Sequence, residues 1–274
     1  MPHTILQQLE ETVRYIRSVC SEQPAVGIVL GSGLGNLARE IVAEKEIAYS
    51  DIPHFPVATV EGHQGKLIFG SLAGRKVAVL SGRFHYYEGY APAQVVYPIR
   101  VLKFLGVKTL LLSNAAGGMN RTFRVGDLMI ISDHISLFTV NPLLGPNEEG
   151  LGPRFPDMSE PYNRELIKKA QGIAGRLQIP IHVGVYAGVT GPTFETRSEY
   201  KLLHIVGGDV VGMSTVQEVI AARHIGLSVF AVSVVTDLGI RDEDNIITHE
   251  EVLAAAAAAE PKLTALFKGL IAEL

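Results

Sequence analysis

The run SVFAVSVVT at 228–236 has no charge, no proline and no glycine, and β-branched or aromatic side chains fill most of it. An apolar stretch this short and uninterrupted reads as a strand covered on both faces. AVGIVL (25–30), TLLLSN (109–114) and LMIISD (128–133) repeat the pattern, and 183–190 and 209–213 add two more strand candidates. KLIFG (66–70) and KVAVL (76–80) flank SLAGR and read as a hairpin. Strands covered on both faces need helices packed on each side of their sheet.

The segments between the strands supply those helices. Thr4 and Gln7 have capping-box spacing, and Ile5, Leu6, Leu9, Val13 and Ile16 then recur at helical spacing, which predicts a helix over 4–20. Further helical stretches are predicted near 36–45, over 92–105 with an interruption at Pro98, over 163–177 and over 195–206. Ser214 with Gln217 and Thr248 with Glu251 are two more capping boxes, the first opening a helix to about 225 and the second a helix reaching the C-terminus. Residues 139–161 hold five prolines and three glycines with little periodicity, and a long stretch of that kind inside a compact domain is usually functional or disordered. Strands alternating with helices, without repeat or linker, predict a single α/β domain over 1–274, a mixed, mainly parallel central sheet flanked by helices.

Composition narrows the function classes. Of 274 residues 47% are hydrophobic and 19% charged, enough to bury a large core. The net charge of −4 argues against a nucleic-acid partner, which would require a basic face. A single cysteine, Cys20, excludes an intrachain disulfide and a cysteine-rich zinc site. The first nineteen residues lack the apolar core of a signal peptide and no run approaches a membrane span, so the expectation is a soluble cytoplasmic protein without membrane contact.

Most chemically suggestive motifs fall just past strand ends, where open α/β sheets present ligands. Gly31-Ser32-Gly33-Leu34-Gly35-Asn36 follows a buried strand and suits a small oxyanion, with Ser32 as hydroxyl donor, or else is a tight turn. Asn36 stands where a dinucleotide fingerprint needs glycine, and no Lys-Ser/Thr pair completes a nucleotide P-loop. After KVAVL, alternation at 83, 85 and 87 puts Arg83, His85 and Tyr87 on one side. That is a set for oxyanion contact, unless Arg83 simply pairs with Glu88. His63 lies between glycines on a loop and could close on an anion or be solvated. Small residues at 113–118, including Ala115 and Ala116, permit close approach of a ligand or form a glycine turn. Phe194 beside Glu195 could stack on a flat heterocycle and accept its ring N–H, or start a helix. In the segment Val211-Gly212-Met213-Ser214, Ser214 reads as an N-cap whose helix terminus could also take a phosphate. Asp237 is a ligand contact or a turn carboxylate, and His249 reads most simply as a surface histidine.

Taken together, GSGLG (31–35), EGHQGKL (61–67), GRFHYYEGY (82–90), NAAGG (114–118), RFPDMS (154–159), GPTFET (191–196), VGMST (211–215) and THEEVL (248–253) resemble the trimeric low-molecular-mass purine nucleoside phosphorylases, in the same order. The resemblance implies a phosphorylase/hydrolase-like fold and reversible phosphorolysis of purine nucleosides, inosine and guanosine foremost. It implies no metal and no organic cofactor, inorganic phosphate being the co-substrate. It places phosphate on Ser32, His63, Arg83, His85, the backbone at Ala115, and Ser214. It places the sugar near Tyr87 and Met213, with His249 at the 5′-hydroxyl, and the base against Ala116, Phe194, Val211 and Gly212. His85, Glu195 and Asp237 are the expected catalytic groups, with Glu195 accepting from the N1 side of the base. It also implies a homotrimer in which Phe155 closes a neighbour's sugar pocket.

One position departs from the pattern. The family's 6-oxopurine enzymes usually carry Asn where this chain has Asp237, whereas related methylthioadenosine phosphorylases carry Asp in the equivalent context. Those relatives lack the counterparts of Glu195 and His249, which favours inosine and guanosine, and a methylthioadenosine or other 6-aminopurine nucleoside phosphorylase is the alternative.

Overall fold

The computed structural model describes residues 4–32, 34–57, 64–240 and 247–274. Helix α1 (Ile5–Val19) opens on the Thr4–Gln7 capping box and leads into β1 (Val26–Val29), all four residues of which are buried. A 3₁₀ helix (Gly35–Glu40) follows, then β2 (Val42–Ala48). The helix expected near 36–45 is therefore corrected. VAEKEIA pairs antiparallel with the next strand along one sheet edge, and five of its seven residues are exposed. An edge strand of this kind blunts edge-to-edge association with its charges.

The hairpin of β3 (Lys66–Leu72) and β4 (Arg75–Ser81) is closed by Ala73 and Gly74, both at positive φ, the conformation a two-residue turn demands. Pro98 sits at the start of α3 (Tyr97–Leu105), separated from α2 (Pro92–Val95) by Val96, so the predicted helix is split as its proline requires. Strands β5 (Thr109–Gly118) and β6 (Leu128–Phe138) lie before the irregular long segment, and α4 (Arg164–Arg176), β7 (Ile181–Val189), α5 (Arg197–Ile205), β8 (Val210–Gly212), α6 (Val216–His224), β9 (Ser228–Leu238) and α7 (His249–Ala272) follow it.

Among the described residues nine strands form one mixed sheet in the order β2-β3-β4-β1-β5-β8-β7-β6-β9, and β9 returns to pair with β5. Strands β5, β8, β7, β6 and β9 thus close on themselves, leaving the other four as an open wing. Strands β4, β1, β5 and β9 run parallel to one another, so their carboxyl ends share one edge. The core fills both faces, with Ile28, Leu111, Phe230 and Val232 from the strands and Ile16, Leu102, Leu266 and Phe267 from the helices all buried. Among the described residues no helix is long and apolar enough to cross a membrane.

Helix α7 begins as its sequence predicts. Thr248 accepts from the Glu251 amide, and the Glu251 carboxylate accepts from the Thr248 amide. Thr248→Ala is expected to lower stability by about 1 kcal/mol, measured as the shift of a chemical denaturation midpoint at unchanged slope.

Candidate active site

Four chain segments at the shared sheet edge converge on one cavity. Ser32 follows β1, Arg83, His85 and Tyr87 follow β4, Asn114–Gly117 end β5, and Thr236 and Asp237 end β9. Phe194 and Glu195 reach it from the loop after β7, Val211–Ser214 from β8 and its exit, and His249 and Val252 from the first turn of α7. Every described residue named from the sequence as a site residue lines this cavity, apart from Phe155. Phe155 is 88% exposed on the long segment, where Arg154 stacks over its ring. His63 lies outside the described residues.

The β5–β9 register explains how adjacent residues share the cavity. Ala116 pairs with Val235 but Gly117 pairs with Asp237, so Thr236 is an extra residue in β9. Strict alternation would put Thr236 and Asp237 on opposite faces, and the bulge brings both to the cavity. NAAGG is the end of a paired strand, so the strand expected over 109–114 runs on to Gly118 and the segment is not a glycine turn.

Arg83 is 3% exposed and does not pair with Glu88. Its Nε and Nη2 donate to the two carboxylate oxygens of Glu218 at 3.1 and 3.0 Å, and Nη1 donates to the Ser113 carbonyl at 2.6 Å. These bonds hold the guanidinium plane fixed. Gly31 permits the arrangement, because a Cβ there would stand 2.7 Å from the Ser113 carbonyl and 3.2 Å from Arg83 Nη1. Glu88 instead holds His85, its Oε1 lying 2.9 Å from Nδ1, and the imidazole stacks on Tyr87 at 4.6 Å. Burial pushes the His85 imidazole below its ordinary pKa, against the opposing pull of Glu88.

The exit of β8 also departs from expectation. Ser214 does not cap α6. Thr215 is the residue before the helix, at φ 66 and ψ −52, and the Val216 amide donates back to the Ser214 carbonyl at 2.7 Å. This is a γ-turn on a β-branched residue, a conformation of the kind that costs about 1–3 kcal/mol and is held by its surroundings. Asn114 Nδ2 donates to Thr215 Oγ1 at 2.9 Å, and Gln217 donates to the Val140 carbonyl rather than closing a capping box. The turn leaves Ser214 Oγ on the cavity wall, 3.1 Å from Thr215 Oγ1.

At the other end stand two carboxylates and a phenol. The Tyr200 hydroxyl donates to Asp237 Oδ2 at 3.3 Å, and Glu195 lines the same part of the cavity. Burial raises the Glu195 carboxyl above its usual range, and the Asp237 charge adds to the rise. Burial and the same two carboxylates keep Tyr200 a neutral phenol. Sequence reasoning missed Tyr200, Thr236, Val252 and Glu218. Val252 stands three residues after His249 on one helical face, a spacing that could have found it.

An anion-suited wall of Ser32, Arg83, His85 and Ser214 thus adjoins a slot with an aromatic ring and two carboxylates. The chain belongs to the phosphorylase superfamily, whose sequence profile matches residues 25–272. It is 47% identical over 266 residues to purine nucleoside phosphorylase 1 of Bacillus subtilis, covering 97% of this chain and 98% of that one. The fold superposes on the Schistosoma mansoni purine nucleoside phosphorylase in complex with adenosine with a TM-score of 0.94, at 45% identity and 99% coverage of both chains. The same enzyme in complex with inosine gives a TM-score of 0.94 at 44% identity, covering 99% of this chain and 98% of that one. Within the superfamily this chain is of the purine nucleoside phosphorylase type, a pentosyltransferase.

Proposed function

We propose that phosphate and a purine nucleoside occupy adjoining parts of this cavity and exchange a pentose between them. The observation that carries the reading is the convergence of Ser32, Arg83, His85 and Ser214 with Phe194, Glu195 and Asp237 on one cavity. Phosphate is held by Ser32, Arg83, His85, the Ala115 backbone and Ser214, with His63 as a further ligand. The pentose lies against Tyr87 and Met213 with its 5′-hydroxyl at His249, and the base lies between Ala116, Phe194, Val211 and Gly212.

The C1′–N9 bond breaks through an oxocarbenium-like state, its electron pair passing to the purine, and a phosphate oxygen then bonds C1′. The bound dianion stabilises the sugar cation before attacking it, so its fixed position supplies both proximity and electrostatics. Glu195 accepts from N1–H of a 6-oxopurine, and a protonated Asp237 donates to N7 as negative charge builds on the base. Inosine and guanosine are the preferred substrates, and ribose 1-phosphate or its 2-deoxy counterpart is the sugar product. A second reading has its own support. An Asp237 carboxylate that already accepts from Tyr200 and Thr236 is suited to accept from the 6-amino group of adenosine as well. No organic cofactor or metal enters these steps. Phe155, so exposed on the long segment, is assigned to a neighbour's sugar pocket in a homotrimer of a cytoplasmic enzyme.

A turnover panel over inosine, guanosine, adenosine, xanthosine and methylthioadenosine, each with and without phosphate, tests the reading. Phosphate-dependent release of hypoxanthine from inosine is expected, with methylthioadenosine the poorer substrate. Release without phosphate, or none at all, would remove it.

A further inference from the structure

The amides that begin the 3₁₀ helix after the Ser32 loop are not open to a ligand. The carboxylate of Glu260 in α7, 2% exposed, takes them. Its Oε1 accepts from the Asn36 amide and, at 3.2 Å, from the Leu37 amide, while Oε2 accepts from Asn36 Nδ2 at 2.6 Å. The helix has no side-chain cap of its own, since Leu34 stands at its N-cap position. A buried carboxylate from a residue 224 positions away thus does the work of a local cap. Lys268 of α7 ties the far end of the same 3₁₀ helix through Glu40 at 2.8 Å.

Helix α7 also begins at the cavity, where His249 and Val252 line the wall. Glu260 lies eleven residues beyond His249 on the same helix, about three turns further along. One helix therefore touches the cavity at its first turn and, near its middle, holds the 3₁₀ helix that follows Ser32.

We propose that Glu260 is a positioning residue for phosphate: it sets the Ser32 loop against the cavity through the Asn36 and Leu37 amides without touching substrate. This rests on the assignment of Ser32 to phosphate. Without Glu260 those two amides lose their fixed acceptor, the 3₁₀ helix is free to shift, and Ser32 shifts with it. Among the described residues neither Asn36 nor Leu37 lines the base side of the cavity, so the effect falls on one co-substrate.

The test is steady-state kinetics of full-length Glu260→Ala, Glu260→Gln and Ser32→Ala with inosine and inorganic phosphate both varied. Glu260→Ala is expected to raise the phosphate KM about tenfold and leave the inosine KM within about twofold, less than the 10²-fold a 1 Å misplacement of a reacting group can cost. Glu260→Gln keeps one oxygen acceptor for the two amides and is expected to recover most of the phosphate KM. If the alanine variant does not fold, Glu260→Asp, whose shorter side chain withdraws the carboxylate from both amides, is the readout, a phosphate KM raised above that of Glu260→Gln then being the supporting result. A Glu260→Ala protein with a lower melting temperature but unchanged phosphate KM, or with both KM values raised alike, would overturn the proposal. So would equal phosphate KM in Glu260→Gln and Glu260→Asp. If Ser32→Ala raises the phosphate KM and Glu260→Ala does not, the positioning role fails alone. If Ser32→Ala also leaves it unchanged, the placement of phosphate fails with it.

Discussion

Replacing Arg83 with alanine is expected to lower kcat/KM for phosphate by about 10²-fold or more, the loss associated with one preorganised oxyanion donor. The structure adds a second consequence. Arg83 and Glu218 form a buried fork, their side chains 2% and 4% exposed, so alanine leaves the Glu218 carboxylate buried without its partner. Breaking a buried pair from one side costs about 3–5 kcal/mol, whereas replacing both members with apolar groups is often neutral. The single variant therefore confounds chemistry with folding. The double variant Arg83→Met, Glu218→Leu is expected to regain most of the lost stability and none of the lost phosphate handling. Thermal denaturation and phosphate-saturation kinetics on the same preparation separate the two. Near-normal phosphate kinetics in the folded double variant would take Arg83 out of the site.

That fork also marks where sequence reading reached its limit. The local partner offered by the sequence was Glu88, five residues from Arg83, but Glu88 serves His85, and the true partner lies 135 residues away in α6. Glu260 is the same kind of omission, since no spacing rule connects it to Asn36. Elements whose signals are local were legible. The continuous apolar runs became β1, β5, β6 and β9, and the boxes at Thr4 and Thr248 cap their helices. VAEKEIA misled because its two edge-strand faces are both largely wet, so no apolar alternation betrayed the strand. Ser214 and Gln217 have the right spacing for a box, but Thr215 turns the chain through positive φ between them and redirects both side chains. Most residues that line the cavity stand in short motifs at strand ends, which is why the sequence could single them out, but His249 alone read as a surface histidine and only the resemblance placed it in the site. What joins them could not be read locally: the bulge at Thr236 and the closure of β9 onto β5 are properties of pairing.

The second large effect is expected at the base. Asp237→Asn should shift the ratio of inosine to adenosine kcat/KM toward inosine by between about 10- and 10²-fold, the range given by a hydrogen bond to a charged group worth about 1.5–3 kcal/mol. Two causes act in the same direction. Asparagine carries an N–H₂ that donates to N7 or O6 without needing a proton, whereas a carboxylate only accepts and meets those atoms with like polarity. The Asp237 charge also contributes to the raised pKa of Glu195. Where Asp237 is ionised, asparagine removes that charge and lowers the Glu195 pKa, which favours the carboxylate form that accepts N1–H of a 6-oxopurine. For adenosine both changes are adverse, since its N1 is an acceptor and its 6-amino group needs one. Tyr200 should keep its place, because an asparagine carbonyl can still accept from the phenol that now bonds Asp237 Oδ2. The measurement is competitive turnover of the two nucleosides at saturating phosphate across pH. In the wild type, ionisation of Glu195 at rising pH favours inosine at that position, and in Asp237→Asn the same gain should come at lower pH. An unchanged ratio would mean that Asp237 does not read the purine.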